Sequence, residues 1–323
     1  MGVKNPEVCL FKSTISNMTD ACPSTGLIIR AQSGFFIVRD DASGLSVTCQ
    51  LRGRLKQGKR LGDIAAVGDR VLFSGAADGT GSIDEILPRK TEIVRLDPRP
   101  QGDYRQVLLA NPDQAVFVFA CANPEPHLRM LDRFLVIAEK QRVPALIVAN
   151  KVELIGPEAA REIFGCYPAL GYPVLYTSVK ENIGVDAFKA VLQGKLSALA
   201  GPSGVGKSSL MNAIQPGLGL AVGAISSAHE NKGKHTTNFR QLHALLDGGW
   251  VADAPGWKSL SLWDTEPEEI DAYFPELAPL VEDCQFSDCG HVHEPGCAVL
   301  AAIKAGTVSK QRYESYLRLK ADE

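Results

Sequence analysis

The residues from Gly201 to Ser208 follow the pattern GxxxxGKS, which is typical of a loop that binds phosphate groups. Its glycines let the backbone turn so that N–H groups face the phosphates, and the next helix adds its dipole. Lys207 would neutralise β- and γ-phosphate charge, and Ser208 would ligate Mg²⁺. The predicted nucleotide contacts in this segment are Gly201, Pro202, Ser203, Gly204, Val205, Gly206, Lys207, Ser208 and Ser209. The motif predicts a nucleoside triphosphate and does not select the base.

A second stretch, Asn150-Lys151-Val152-Glu153, could select guanine. Guanine presents N1–H and an exocyclic amine as adjacent donors, which one carboxylate accepts together, and adenine lacks this pair. The common GTPase pattern is NKxD, whereas the carboxylate here is Glu153, on a stem one methylene longer. We expect guanine preference to be retained. Thr177-Ser178-Val179 resembles the SAK element, whose backbone amide meets guanine O6.

Two further segments could respond to the γ-phosphate. In Asp253-Ala254-Pro255-Gly256, Asp253 would hold a Mg²⁺-bound water and the Gly256 amide would contact the γ-phosphate. The loop 226–237 has almost no large apolar side chains, which is typical of a switch loop. Thr236 or Thr237 would close on Mg²⁺ there.

The sequence offers two histidines as candidates for activating the attacking water. Many GTPases place a glutamine after the DxxG glycine, but this chain has Trp257, so we expect slow intrinsic hydrolysis. His235 is our candidate for positioning or deprotonating water, and His229 is the weaker alternative. Either could instead be a solvated loop histidine. The predicted catalytic set is His235, Lys207, Thr236, Thr237 and Gly256.

A cluster near the C-terminus has the donor set of a metal site. Cys284, Cys289, His291 and Cys297 supply three thiolates and one imidazole, the set for a closed tetrahedral Zn²⁺ site. Four protein ligands leave no position for a reacting water, so the predicted role is structural. His293 could substitute for His291, although the spacing favours His291. The alternative is reduced cysteines that pack without metal.

The elements that must position these residues form an α/β unit. Short apolar runs alternate with helical segments such as 130–141 and 185–195, which predicts a parallel sheet covered by helices on both faces. The predicted strands are 115–120, 145–149, 174–176, 198–200 and 250–252. Because the base-reading stretches precede the phosphate loop, the sequence predicts a circularly permuted fold.

Two smaller regions flank this unit. Five β-rich runs between residues 24 and 97 predict an OB-like β-barrel: 26–31, 34–39, 45–52, 69–73 and 83–87. Arg52, Arg54, Lys56, Lys59 and Arg60 form a basic run that would contact RNA phosphates or only solvent. A Pro-containing stretch at 97–102 is predicted to be a linker after the barrel. We expect a flexible tail at 1–23, an RNA-binding barrel at 24–97, a permuted nucleotide domain at 98–265 and a helical zinc-binding domain at 266–323.

The bulk composition is ordinary for a globular protein. The chain has 323 residues, a formal net charge of −3 and 45% hydrophobic residues. It has no basic start followed by an apolar run, and no apolar stretch of membrane-spanning length, so we expect a cytoplasmic protein. Five of its eight cysteines are scattered singly, which favours a reducing compartment over a disulfide framework.

The motif order, together with Gly233-Lys234-His235-Thr236-Thr237, resembles the circularly permuted ribosome-small-subunit-dependent GTPases of the RsgA/YjeQ family. The resemblance implies an OB domain, a permuted GTPase and a zinc-bearing C-terminal domain. It also implies GTP and GDP with magnesium, the 30S subunit and 16S rRNA as partners, and faster GTP hydrolysis on that subunit during its late maturation. We expect a monomer without a membrane partner. Departures from the family pattern include Glu153, Lys234, Asn238 and Trp257.

Two other functions fit part of the sequence. A P-loop ATPase or kinase would make the Asn150–Glu153 match accidental. A non-enzymatic RNA-binding scaffold would bind GTP with negligible turnover, which Glu153 and Trp257 make conceivable.

Overall fold

A computed structural model describes residues 23–56, 62–75, 79–97, 104–216, 241–253 and 265–321. Several predicted features lie outside these residues: the segment 1–22, Lys59, Arg60, the loop 226–237 with His229, His235, Thr236 and Thr237, and residues 254–257 with Gly256 and Trp257.

The N-terminal region is a closed barrel. Its strands are β1 (Ser24–Gln32), β2 (Phe35–Asp40), β3 (Ser46–Leu51), β4 (Arg70–Gly75) and β5 (Thr80–Ile86), joined in the order β1-β2-β3-β5-β4. Ile28, Val38, Val71 and Ile83 are fully buried inside it. A short 3₁₀ helix, Gly53–Lys56, follows β3. The predicted small barrel is confirmed.

A two-stranded hairpin connects the barrel to the nucleotide domain. Strand β6 (Glu92–Asp97) pairs antiparallel with β7 (Tyr104–Ala110). The Pro-containing stretch at 97–102, which the sequence marks as a linker between domains, therefore falls between two paired strands. The Ala110 N–H donates to the Val67 carbonyl at 2.9 Å, so the hairpin also bonds the barrel.

The central domain is built on a six-stranded sheet. Its strands are β8 (Gln114–Ala120), β9 (Ala145–Asn150), β10 (Val174–Thr177), β11 (Leu196–Ala200), β12 (His243–Ala244) and β13 (Trp250–Asp253). The strand order is β10-β9-β8-β11-β13-β12. All neighbours are parallel except β12 and β13. Every residue of β8 is buried, as expected for a strand covered on both faces.

Helices cover the two faces of this sheet. They are α1 (Leu128–Lys140), α2 (Pro157–Phe164), α3 (Val185–Leu192) and α4 (Lys207–Ile214), with 3₁₀ turns at Val152–Leu154 and Pro168–Leu170. Phe134 of α1 packs with Phe117 and Phe119 on one face. Phe188 of α3 and Leu210 of α4 pack on the other face. Helix α3 ends at Leu192, earlier than predicted, because Gln193 is extended and Gly194 has a φ of 69°.

The C-terminal segment packs on the α1 side of the sheet. It contains a 3₁₀ helix, Pro267–Tyr273, followed by α5 (Ala278–Val281), α6 (Ala298–Ala305) and α7 (Lys310–Ala321). Ile270, Phe274 and Tyr316 are buried in the same apolar core as Phe134. The segment therefore shares its core with the sheet. Of the helices described, none combines the length and apolar character that crossing a membrane requires.

Candidate nucleotide and metal sites

The predicted nucleotide residues meet at one edge of the sheet. Because β8, β9, β10, β11 and β13 run parallel, their carboxyl ends lie along the same edge, which is where open α/β sheets bind ligands. Asn150, Thr177 and Asp253 are the last residues of their strands, and Gly201 follows β11 directly. We call residues 150–153, 177–179 and 201–208 the nucleotide edge.

The phosphate loop has a backbone that only glycine fits at two points. A Cβ at Gly201 would lie 2.1 Å from the Val118 carbonyl oxygen. Gly206 has a φ of 96°, and a Cβ there would lie 2.4 Å from the Asn150 amide nitrogen. The loop therefore lies tightly against β8 and β9, and helix α4 begins at Lys207.

Lys207 already spans this loop. Its ammonium donates to the carbonyl oxygens of Gly201 and Pro202, each at 2.8 Å. Ser208 is half-buried beside it, whereas Ser203 and Ser209 are exposed. The positive charge is therefore held at the start of α4, where the helix dipole also favours an anion.

The base-reading and phosphate loops are joined by hydrogen bonds. The Asn150 amide donates to the Val205 carbonyl at 2.8 Å and accepts from the Thr177 hydroxyl at 2.9 Å. The Lys151 ammonium donates to the Gly204 carbonyl at 2.7 Å and also to the Asn123 carbonyl. Asn150 thus connects the ends of β9 and β10 to the phosphate loop, and the parts belong to one site.

The carboxylate predicted to read guanine is half-buried, with one oxygen lacking a partner. Glu153 lies in the 3₁₀ turn after β9, and its Oε2 is buried without a hydrogen bond among the described residues. Leaving a buried acceptor unpaired is costly, so such an atom is a natural position for a ligand donor. Cys121 follows β8 nearby, where burial and then the charge of Glu153 raise the pKa of its thiol to about 12. Ser178 is buried, and Val179 is half-buried.

The four predicted metal ligands converge. Their donor atoms all lie within 4.8 Å of one another, and the His291 Nδ1 is 3.6 Å from Cys284 Sγ and 3.4 Å from Cys297 Sγ. His293 is exposed and is not part of the group. We call Cys284, Cys289, His291 and Cys297 the Cys/His cluster.

Residues outside the cluster orient its ligands. The His291 Nε2 lies 3.0 Å from Asp271 Oδ2, which leaves Nδ1 facing the thiols. Such a carboxylate partner is typical of metal-binding histidines. The Tyr313 hydroxyl donates to the His291 carbonyl at 2.5 Å. Backbone N–H groups, that of His293 foremost, lower the pKa of the Glu294 carboxyl to about 2.

A buried ionic group lies beneath the C-terminal segment and was not predicted from the sequence. The Arg312 guanidinium of α7 is fully buried and donates to Asp132 of α1 and to Glu276, each at 2.7 Å. It also lies 4.6 Å from the Phe274 ring centroid. Single charged residues in polar helices carry no sequence signal for such a group, because their partners are far apart in the chain.

Part of the basic run in the barrel is engaged within the barrel. The Arg52 guanidinium pairs with Asp84 at 2.6 Å, and Arg54 donates to the Asp84 carbonyl at 2.8 Å. Phe36 is buried, whereas Phe35 is 49% exposed, as the alternation of a strand requires. Phe35 therefore remains available for stacking.

The chain is similar to known protein families and to individual proteins. The RsgA GTPase family matches residues 86–263, and the RsgA N-terminal domain matches residues 25–83. A relative from Gemmatimonas aurantiaca, named small ribosomal subunit biogenesis GTPase RsgA, is 45% identical over 92% of this chain and 96% of its own. A relative of the same name from Moorella thermoacetica is 42% identical, with the same two coverages.

Two solved structures have the same architecture. YjeQ from Thermotoga maritima is 36% identical with a TM-score of 0.75, covering 93% of this chain and 98% of its own. YloQ, described as a circularly permuted GTPase, is 31% identical with a TM-score of 0.70, covering 95% and 97%. These matches confirm the permuted order that the motifs predicted. With the barrel, the joined nucleotide loops and the Cys/His cluster in one chain, the protein belongs to the RsgA GTPase family, whose members are GTP-hydrolysing enzymes.

Proposed function

We propose that this protein binds the small ribosomal subunit and hydrolyses GTP to GDP and phosphate during late maturation of that subunit. The names of its relatives support the ribosomal role. The observation that carries the enzymatic part is the hydrogen bonding of Asn150 and Lys151 to the phosphate loop. One nucleotide can then contact both loops at once, its base at one end and its phosphates at the other.

Each nucleotide residue has a distinct proposed role. Glu153 accepts the N1–H and exocyclic amine of guanine, and the backbone of Ser178 and Val179 lies near O6. Lys207 moves from the loop carbonyls to the β- and γ-phosphate oxygens, which are stronger acceptors because they are charged. The remaining phosphate-loop residues, apart from Pro202, which has no N–H, present backbone N–H groups to the phosphates.

Hydrolysis then requires a water in line with the γ-phosphate. Catalysis of this reaction is mostly positioning and charge stabilisation, and Lys207 supplies charge at the phosphoryl oxygens. We propose His235 as the group that orients the water, with Thr236, Thr237 and Gly256 closing around the γ-phosphate. Magnesium, held by Ser208 and through water by Asp253, would neutralise phosphate charge.

We propose that the Cys/His cluster holds one structural zinc ion. Three thiols and a histidine, with Asp271 behind the imidazole, are a donor set that zinc prefers. A zinc ion there would have four protein ligands, so it would fix the loop and leave the chemistry to the nucleotide edge.

The regions divide the work in this proposal. The barrel (24–97) binds 16S rRNA with its exposed Phe35, the nucleotide domain (98–265) hydrolyses GTP, and the C-terminal segment (266–323) carries zinc. We propose a cytoplasmic monomer, since its partner is the ribosomal subunit.

Phosphate release from GTP and from ATP, with and without purified small subunits, tests this function. The expected result is slow GTP hydrolysis alone, clear stimulation by the subunit, and loss of both in Lys207→Ala. Lys189→Ala, which removes only a surface ion pair with Asp247, is the matched control. Equal use of ATP would instead indicate a P-loop ATPase, and GTP binding without any turnover would indicate a scaffold.

A further inference from the structure

An arginine-lined groove lies between α1 and α7, and its lining residues belong to neither the nucleotide edge nor the Cys/His cluster. Arg129 and Arg133 of α1 and Arg318 of α7 line a cavity of about 520 Å³, with Met130, Phe134 and Leu319 among the other lining residues. Arg129 and Arg133 are four residues apart, so they lie on one face of α1, about 5–6 Å apart at Cβ. Three arginines therefore line one open groove with a partly apolar floor.

The positive charge of this groove stands out from its surroundings. Residues 266–323 carry 12 acidic residues against 5 lysines or arginines, and yet the α7 side contributes Arg318 to the groove. Arg129 and Arg318 are exposed, and neither forms an ion pair within the part of the chain that the structure describes. A generally basic composition therefore does not explain why three arginines line this groove.

The acidic side chain that lies nearest to these arginines on α1 cannot pair with them. Asp132 lies between the two arginines in sequence, but it is fully buried and accepts from Arg312, Tyr167 and Ser315. The bonds from Arg312 and Ser315 hold α7 against α1, so the groove walls are fixed in place. Glu314 lines an adjoining groove, which shares Arg129.

We infer that this groove binds the sugar–phosphate backbone of ribosomal RNA, an inference that rests on the proposed function. Guanidinium groups match phosphate oxygens as two-pronged donors, and the apolar floor suits a ribose or an unstacked base. The inference assigns RNA contact to the nucleotide domain and C-terminal segment together, in addition to the barrel.

The test compares two triple variants with equal charge loss. Arg129→Gln, Arg133→Gln and Arg318→Gln remove the groove charge, whereas Arg142→Gln, Arg161→Gln and Lys304→Gln remove three exposed charges elsewhere. Affinity for purified small subunits and for protein-free 16S rRNA is measured across a salt series with a non-hydrolysable GTP analogue. GTP hydrolysis without subunits, unchanged in both variants, shows that they are folded.

We expect the groove variant to bind both targets more weakly than the control variant, on the order of tenfold to a hundredfold, with the slope of log affinity against log salt smaller by about 2. Because Arg133 has a further contact in the protein, the Arg129→Gln, Arg318→Gln double variant is also measured, and its slope should fall by about 1.4.

Three results would overturn the inference. Equal binding by the groove and control variants would show that the groove does not bind RNA, and the proposed function would stand. A deficit seen with intact subunits but not with protein-free rRNA would identify an acidic ribosomal protein as the occupant. Failure of the wild-type protein to bind subunits would remove the proposed function and the inference together.

Discussion

The nucleotide edge and the Cys/His cluster are both assembled from loops, but they are held in different ways. At the nucleotide edge, Asn150, Lys151 and Lys207 donate to backbone carbonyls, so the loops satisfy one another without a ligand. In the Cys/His cluster, the donor atoms of three thiols and an imidazole lie within 4.8 Å of one another. The first site is therefore held by hydrogen bonds within the chain, whereas the second, in our proposal, would be held by a metal ion.

Removing the proposed zinc ion should have the largest effect. Zinc binding to small Cys/His sites is worth about 10–16 kcal/mol at neutral pH, so a chelator should unfold residues 284–300 while the nucleotide edge keeps its structure. Hydrogen exchange by mass spectrometry, together with metal content, measures this. Cys297→Ser should lose zinc, and His293→Ala should retain it. Unchanged exchange in the metal-free protein would contradict the comparison.

Removing the buried arginine of α7 should have the next largest effect. Arg312→Met should cost about 3–5 kcal/mol in the free energy of unfolding, because Asp132 and Glu276 are left as buried charges. Denaturant unfolding measures the loss. Adding Asp132→Asn and Glu276→Gln should recover most of the stability. If the triple variant were as unstable as the single one, loss of packing rather than charge would be the cause.

Asn150 tests whether the two nucleotide loops depend on each other. Asn150→Ala leaves the Val205 carbonyl and the Thr177 hydroxyl without their partner, which costs about 1–3 kcal/mol for a buried group. GTP affinity should fall roughly tenfold to a hundredfold, while zinc content stays unchanged. Gln193→Ala, an exposed residue directly after α3, is the control for the GTP titration. Undiminished GTP affinity would show that the two nucleotide loops do not depend on each other.

Glu153 tests whether the nucleotide edge selects guanine over adenine. Glu153→Gln should weaken GTP roughly tenfold and leave ATP unaffected, because only guanine uses the carboxylate. Glu153→Asp should keep the preference for GTP. Glu158→Gln, exposed on α2, provides the matched charge change. Equal weakening of GTP and ATP would assign Glu153 a structural role only.

Glu294 gives the smallest effect, visible as a pH dependence. Its carboxyl pKa is lowered from 4.5 to about 2 by backbone N–H groups, so its support of the cluster loop is full above pH 4.5 and disappears as pH falls toward 2. Glu294→Gln should raise amide exchange at Val292 and His293 relative to wild type above that range. The difference should vanish near pH 2, and a constant difference at every pH would contradict this role.

Much of the fold could be predicted because it is encoded locally. The five parallel strands and the five barrel strands each leave an apolar or alternating run, and their ends were predicted to within about three residues. The hairpin of β6 and β7 was missed because the proline- and glycine-containing stretch between its strands is equally typical of a linker.

The site was predicted in its residue types and only partly in its connections. GxxxxGKS, NKxE and the cysteine spacing named the residues, because each motif is short and continuous in sequence. The bond from Asn150 to Val205, the partner Asp271 of His291 and the Arg312 group join residues distant in sequence, so only the folded chain reveals them. The bonds from Arg52 and Arg54 to Asp84 within the barrel were likewise not predicted, and the contact of the basic run with RNA stays a prediction.

The central claim is that the permuted loops form one site selective for guanine. Hydrogen exchange of the full chain, with a non-hydrolysable GTP analogue or the matching ATP analogue at equal concentration, tests it directly. The account predicts that the GTP analogue protects peptides covering 150–153, 177–179 and 201–208 together, and that the ATP analogue protects none of them. Equal protection by both analogues, or protection of residues 201–208 alone, would contradict it.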